Sequence, residues 1–338
     1  MLARPIVLGY YAGGNPNLSP DKINYRLFTH LTHAFARVGK DGDFAFPALA
    51  ASHELCERAH AGGTKVILAI GGADSGASLS RGTATDEGGK RVLDQLVSHV
   101  KAAGYDGLDI DWEFPENPAH ADQMNQLVKQ LRSRLPQAIL TMAVPALDWN
   151  GKWYQISALL PYLDFVNVMT YDFHGPWTKH AGHNAGLRYS DADGHGECRT
   201  VTTEDGIAYW QKQKNWPKGK ILLGIPLYGR GFQASGLGQV ASGSYARSEI
   251  TYREIPALRK AGWVRHWDDK AQVPFLQNPT KTEIVSYDDA ESTHKKGEYA
   301  RQQGLGGIFF WEISQDFDGK TNPLVQAACS GLRGSRVV

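Results

Sequence analysis

The sequence predicts an α/β fold, a (β/α)8 TIM barrel with a small α+β insertion between strands 7 and 8. Three observations carry this expectation. Short β-rich runs recur with amphipathic helical stretches between them, eight such runs are present, and one gap alone is too long for a helix and a loop. The strands are expected at 6–11, 31–35, 65–70, 107–113, 139–144, 165–171, 220–226 and 307–311. Helical patterns fill most of the gaps: 49–60 before the third strand, 90–103 before the fourth, 119–135 before the fifth and 204–213 before the seventh. Residues 231–290 form the long gap, with β-like runs at 248–252 and 283–287 around a helical pattern near 252–261. The expected division is a barrel from 1–230 and 291–338 and an inserted subdomain at 231–290. No solenoid repeat or low-complexity linker interrupts it.

Composition narrows the partners. With 36 basic against 35 acidic residues, the chain carries no broad electrostatic footprint for nucleic acid or an anionic membrane. No apolar run approaches the roughly 20 residues that span a bilayer. Aromatic residues make up 10% of the chain and include nine Trp, a side chain that stacks on sugar faces as well as filling cores. Cys56, Cys198 and Cys329 are too few and too scattered for a disulfide framework or a zinc motif, which leaves one incidental disulfide open. The first residues lack an export pattern and run directly into a strand. The expectation is an extracellular protein whose signal has been removed, with the cytoplasm as the alternative, and a monomer, since nothing supports homo-oligomerisation.

In such barrels the chemistry sits at the carboxyl ends of the strands. The fourth strand, Asp106-Gly107-Leu108-Asp109-Ile110-Asp111-Trp112-Glu113, is the most informative. Asp109, Asp111 and Glu113 alternate and so share one face, successive members standing about 6.5 Å apart. Three acids on an inward face resist joint ionisation. The outermost, Glu113, is therefore expected to hold a proton and to donate it to a leaving oxygen, with Asp111 supplying negative charge beside it. Ordinary retaining glycosidases need a second carboxylate across the sugar. Here the acids lie side by side on one strand, which fits better with a nucleophile from the substrate, the 2-acetamido oxygen of an N-acetylglucosamine unit. Asp172 and Glu312 remain alternatives for the missing partner.

With these residues the chain resembles the family 18 glycoside hydrolases, the chitinases, whose fourth-strand pattern D-G-x-D-x-D-x-E is met at Asp106, Gly107, Asp109, Asp111 and Glu113. The resemblance continues through Gly9-Tyr10-Tyr11, His33-Ala34-Phe35, Ile70-Gly71-Gly72, Met142-Ala143-Val144-Pro145, Met169-Thr170-Tyr171-Asp172, the stretch from Gly224 to Arg230, and Phe310-Trp311-Glu312. It implies substrate-assisted hydrolysis of β-1,4-linked N-acetylglucosamine with retention, needing no metal or cofactor, on chitin and its oligosaccharides. By the same resemblance Glu113 is the general acid, Asp111 stabilises the oxazolinium ion, Asp109 hydrogen-bonds Asp111, and Tyr171 donates to the acetamido oxygen. Trp311 is then the floor beneath the sugar, with Tyr10, Phe35, Met169, Asp172, Tyr228 and Arg230 around the cleft.

The chain departs from the family pattern at Ala69, where many relatives have Ser, and at Ala73, where a Trp often follows Gly-Gly. Trp177 is expected to replace part of the stacking platform lost at Ala73. The stretch 177–203 carries His180, His183, His195 and Cys198 at irregular spacing and is expected to be a polar surface loop rather than a metal site. Two rival functions share these motifs: a non-hydrolytic chitin-binding lectin, against which Glu113 argues, and an endo-β-N-acetylglucosaminidase acting on N-glycans or a peptidoglycan hydrolase.

Overall fold

The computed structural model describes residues 4–39, 43–193 and 201–335. Eight parallel strands form a barrel: Ile6–Tyr11, His30–Val38, Lys65–Gly72, Gly107–Trp112, Ile139–Pro145, Phe165–Met169, Ile221–Pro226 and Gly307–Trp311. Pairing of Leu8 with His30 and of Ile6 with Gly307 joins the first strand to both the second and the eighth, which closes the sheet. The fourth and sixth strands end at Trp112 and Met169, short of the expected ends, so Glu113 and Tyr171 lie just beyond the strand tips.

Alternation along the strands sorts the apolar residues into two sets. Leu8, Ile67, Phe165, Leu222 and Phe309 pack together inside the barrel, while Val7, Leu68, Ile110, Val144 and Ile308 face the helices. On the fourth strand Leu108, Ile110 and Trp112 are fully buried in the outer set, which leaves Asp109 and Asp111 on the inner face. The helix before it, Asp86–Ala103, starts where the Thr85 hydroxyl accepts the Gly88 N–H at 3.1 Å and ends at Gly104 in the left-handed region. Its Val92, Leu93, Leu96 and Val100 face the barrel. Truncating Leu96 to Ala would cost about 2–5 kcal/mol.

Residues beyond the seventh strand build a second, antiparallel sheet of five strands: Tyr228–Phe232, Ser244–Thr251, Val264–Asp268, Val273–Gln277 and Ile284–Ser286. The helix Ile255–Lys260 covers it over Ile250, Ile255, Trp263, Leu276 and Val285. The first of these strands starts two residues after the seventh barrel strand, so the sheet rises directly from the barrel rim. The predicted helix at 204–213 divides into an α-helix, Thr203–Ala208, and a π-helical turn, Tyr209–Gln213, with Tyr209 and Trp210 both buried.

The expectation of a polar surface loop at 177–203 is corrected over its centre, while Trp177 and Tyr189 are exposed. Residues 181–187 are buried, and His183 is completely enclosed. Its ring lies 3.2 Å from Asp268 and 3.3 Å from the Ser286 hydroxyl, both on the inserted sheet. Phe232 and Ile284, neighbours on two inner strands of the sheet, present an apolar surface against which Ala181 packs, which pulls the loop inward. His195 and Cys198 fall outside the described residues. Cys56 and Cys329 are buried free thiols. Among the described residues no three His, Cys, Asp or Glu side chains are grouped to hold a metal ion.

Candidate active site

The acidic ladder is graded by depth. Asp109 is fully buried in the barrel, where it accepts hydrogen bonds from Tyr10 Oη at 2.6 Å, from the Thr141 hydroxyl and from Asn167 Nδ2 at 3.2 Å. Asn167 also donates to Tyr10 Oη at 3.0 Å, so the first, fourth, fifth and sixth strands meet in one polar layer. Burial raises the Asp109 carboxyl to about 6 against these hydrogen bonds. Asp111, one step outward, is pushed well above the usual carboxylate range by burial and then by the neighbouring Glu113 and Asp109, with Arg37 opposing. Its Oδ1 is buried with no hydrogen-bond partner among the described residues. Burial raises Glu113 to about 7, with Asp172 and Asp74 adding to the rise and Asp111 and Arg37 opposing it.

The backbone around Glu113 is strapped from the loop after the third strand. Ser75 Oγ donates to Asp111 O at 3.1 Å and accepts from the Glu113 N–H at 3.2 Å, while the Gly76 N–H donates to Glu113 O at 2.9 Å. Gly71 and Gly72 make this approach feasible. Both have positive φ, and a Cβ on Gly71 would sit 2.1 Å from Asp111 O and one on Gly72 2.8 Å from the Phe35 ring. Peptide bonds Ala34–Phe35, Glu113–Phe114 and Trp311–Glu312 are cis, all at the carboxyl rim.

Two cavities open at this rim, and they meet at Glu113, Met169, Tyr171 and Asp172. The smaller, about 260 Å³, is also lined by Tyr10, Phe35, Asp111, Tyr228, Arg230 and Trp311. The larger, about 660 Å³, takes in Trp177, Phe114 and Trp149. In the smaller lobe the Trp311 ring lies edge-on to Tyr10 at 5.5 Å and tilted by 32° against Phe35 at 5.4 Å. Burial pushes the hydroxyls of Tyr10, Tyr171 and Tyr228 well above their ordinary value, so all three stay neutral donors.

The wall opposite comes from the inserted sheet. Arg230 donates from Nε to Asp172 Oδ1 at 2.8 Å, approaches Glu249 at 3.6 Å, and lies over the rings of Tyr228 and Trp177 at 4.8 and 5.2 Å. Asn184, almost fully buried, ties this wall to the barrel. Its Oδ1 accepts the Asp172 N–H at 3.1 Å, and its Nδ2 donates to Tyr228 O at 3.1 Å.

Of the residues singled out in the sequence, Tyr10, Phe35, Asp111, Glu113, Met169, Tyr171, Asp172, Tyr228, Arg230 and Trp311 converge on one lobe, and Trp177 stands on the other. Asp109 lines neither and lies buried beneath Asp111 on the same strand. Glu312 is buried away from both lobes, held by the Ser314 N–H at 3.0 Å and the Ser314 hydroxyl. Sequence reading passed over Arg37, Thr141, Asn167, Glu249, Trp149 and Asn184. Arg37 shares a strand face with Phe35, and Thr141 and Asn167 are polar residues in β-rich runs, which is the signal that finds them. Glu249 and Asn184 carry no local signal, because their partners are distant in sequence.

Comparison with known proteins identifies the family. The family model for Glycosyl hydrolases family 18 matches residues 6–316. A probable endochitinase of Caenorhabditis elegans is 33% identical over 296 residues, covering 80% of this chain and 46% of that protein. Chitinase A1 of Niallia circulans is 30% identical over 284 residues, covering 75% of this chain and 40% of that protein. The chain thus spans about half the length of the curated relatives it matches. The crystal structure of catalytic domain 2 of the Ostrinia furnacalis Group II chitinase superposes with a TM-score of 0.89 at 28% identity, over 98% of this chain and 97% of that one. The chain belongs to glycosyl hydrolase family 18.

Proposed function

We propose that this chain is a chitinase that hydrolyses β-1,4-linked N-acetylglucosamine polymers and oligomers with retention, through an oxazolinium ion and with Glu113 as general acid. The observation that carries the reading is the pairing of Glu113, raised to about 7, with a buried Asp111 whose Oδ1 has no hydrogen-bond partner among the described residues. Glu113 stands where the two lobes meet, so a glycosidic oxygen lying between them is within its reach. In the first step Glu113 gives its proton to that oxygen as the acetamido carbonyl oxygen attacks the anomeric carbon and the leaving sugar departs. Asp111 Oδ1 accepts the acetamido N–H and offsets the positive charge of the oxazolinium ion. Tyr171, a neutral donor, holds the acetamido oxygen, and Asp109, bonded to Tyr10, Thr141 and Asn167 and not to Asp111, acts on Asp111 through its neighbouring charge. Glu113, now ionised, takes a proton from the water that opens the ring, and the anomeric configuration is retained.

Two observations favour a nucleophile from the substrate over one from the protein. Asp172 is engaged by Arg230, and Glu312 faces neither lobe. The reading extends to 1–230 and 291–338 as barrel and 231–290 as inserted unit, the sheet of that unit starting three residues earlier at Tyr228, and to chitin oligosaccharides as partners of a secreted monomer. Time-resolved product analysis on chitin oligosaccharides and on an N-glycan tests it. Early release of the β-anomer from chitin oligomers is expected. Cleavage confined to the glycan core would replace the reading with an endo-β-N-acetylglucosaminidase, and tight binding without cleavage would replace it with a lectin.

A further inference from the structure

Arg37 lines the smaller lobe beside Asp111 and Glu113. It lies two positions after Phe35 on the second strand, its guanidinium 5.2 Å above the Phe35 ring, and that ring packs in turn against Trp311. The side chain is therefore held in place by stacking rather than by an anion. The lobe's carboxylates are otherwise engaged. Asp172 and Glu249 pair with Arg230, and Asp111 and Glu113 are hydrogen-bonded to one another. No carboxylate of the described residues lies within ion-pair distance of Arg37. It forms no ion pair, is exposed at the mouth of the smaller lobe, and its charge reaches Asp111 and Glu113 across that lobe.

We propose that Arg37 is a charge filter on the smaller lobe, disfavouring a sugar that carries a free ammonium in place of its acetamido group and favouring a neutral or carboxylate-bearing one. The inference rests on the lobe being a sugar subsite of the proposed hydrolase. Arg37 is exposed, and even with solvent screening two like charges about 5 Å apart repel strongly enough to alter discrimination about tenfold. The same charge stabilises the ionised forms of the acids before it. Glu113 is faced by Asp111 on its own strand, Asp74 from the third, Asp172 from the sixth and Arg37 from the second. Removing Arg37 moves the alkaline limb of kcat upward.

The test compares the N-acetylglucosamine tetramer with tetramers carrying a single glucosamine unit, for wild type, R37K, R37Q and R37E. The unit whose acetamido group enters the reaction must stay acetylated in every protein, so the readout is kcat/KM for substrates modified at the neighbouring unit in the lobe, relative to the fully acetylated tetramer. Wild type and R37K are expected to disfavour glucosamine there, R37Q to lose the bias by about tenfold, and R37E to prefer the ammonium, each effect shrinking with added salt. Equal ratios in all four proteins overturn the filter. Failure of wild type to cut the fully acetylated tetramer overturns the hydrolase reading instead, and calorimetric affinities of the two tetramers for the same four proteins then decide the role of Arg37, equal affinity ratios overturning it.

Discussion

The two ends of the fourth barrel strand put the same side chain to opposite uses. At the amino end Asp106 accepts hydrogen bonds from Lys65 Nζ at 2.8 Å, from His60 Nε2 at 2.7 Å and from the Val66 N–H at 2.8 Å. Burial works against its charge, but these donors outweigh it and hold the carboxyl below its ordinary value. At the carboxyl end, roughly 17 Å away, Asp111 and Glu113 face one another with few donors, and burial pushes both upward. One acid stabilises the fold as an anion, and the others are kept ready to hold a proton. Partners, not residue type or strand, decide which.

The sign of the linkage differs accordingly. Asp106 has a depressed value in the fold, so its stabilisation is present above the unfolded value of about 3.9 and is lost as pH falls through the folded one. Asp111 and Glu113 have raised values, so the fold favours their protonated forms. Their contribution is present below the unfolded values and is lost as pH rises through the folded ones.

The comparison breaks first at Glu113. E113Q is expected to lower kcat about a thousandfold while leaving tetramer affinity within a few-fold, read by steady-state kinetics and calorimetry. The same variant should be more stable to unfolding than wild type at pH 8, by about 1 kcal/mol or more, because an amide has no proton to lose. Activity above a tenth of wild type would remove Glu113 from the role of acid. Next comes Y10F, which takes one donor from Asp109. We expect a fall in kcat of about tenfold, with the pH profile distorted rather than the whole curve lowered. At the opposite end D106N should cost about 1 kcal/mol at pH 7, measured in urea, with the difference from wild type beginning to shrink only below about pH 4 and vanishing once pH has fallen through the depressed folded value, and kcat little changed. The smallest effect concerns the alkaline limb itself. Wild-type kcat should fall as pH rises through about 7, where Glu113 loses its proton. D172N removes a charge that lifts Glu113, so the limb should move to lower pH.

What could be read in advance follows the range of the interactions. The barrel strands are local patterns of apolar alternation, and the ladder at Asp109, Asp111 and Glu113 breaks that pattern on one strand, so both were legible. Tyr10 was found by its motif, but its bond to Asp109 joins residues 99 positions apart and lies beyond any window. The strands Val264–Asp268 and Val273–Gln277 escaped notice because they pair with each other and with Ile284–Ser286 across turns, without marked alternation. His183 looked like a surface residue because its burial comes from Asp268 and Ser286, about a hundred residues further on. Arg37 was passed over because the second strand was expected to end at Phe35 and instead runs on to Val38, and its standing at the cleft depends on Phe35 and Trp311 coming together at the rim.

The Asn184 amide has a bearing on any attempt to redesign this fold. It fixes Asp172 from one side and Tyr228 from the other, and its own N–H donates to Ser286 Oγ at 2.9 Å. A swap of the inserted sheet between homologous barrels, cut at the seventh and eighth strands, would carry Tyr228, Arg230 and Glu249 but leave their clasp behind in the recipient. The transplantable part is discontinuous: the sheet together with the loop around Asn184, taken from one donor. Chimaeras that respect this pairing should keep a working cleft, and those that split it should bind substrate poorly while the barrel still melts as a folded protein.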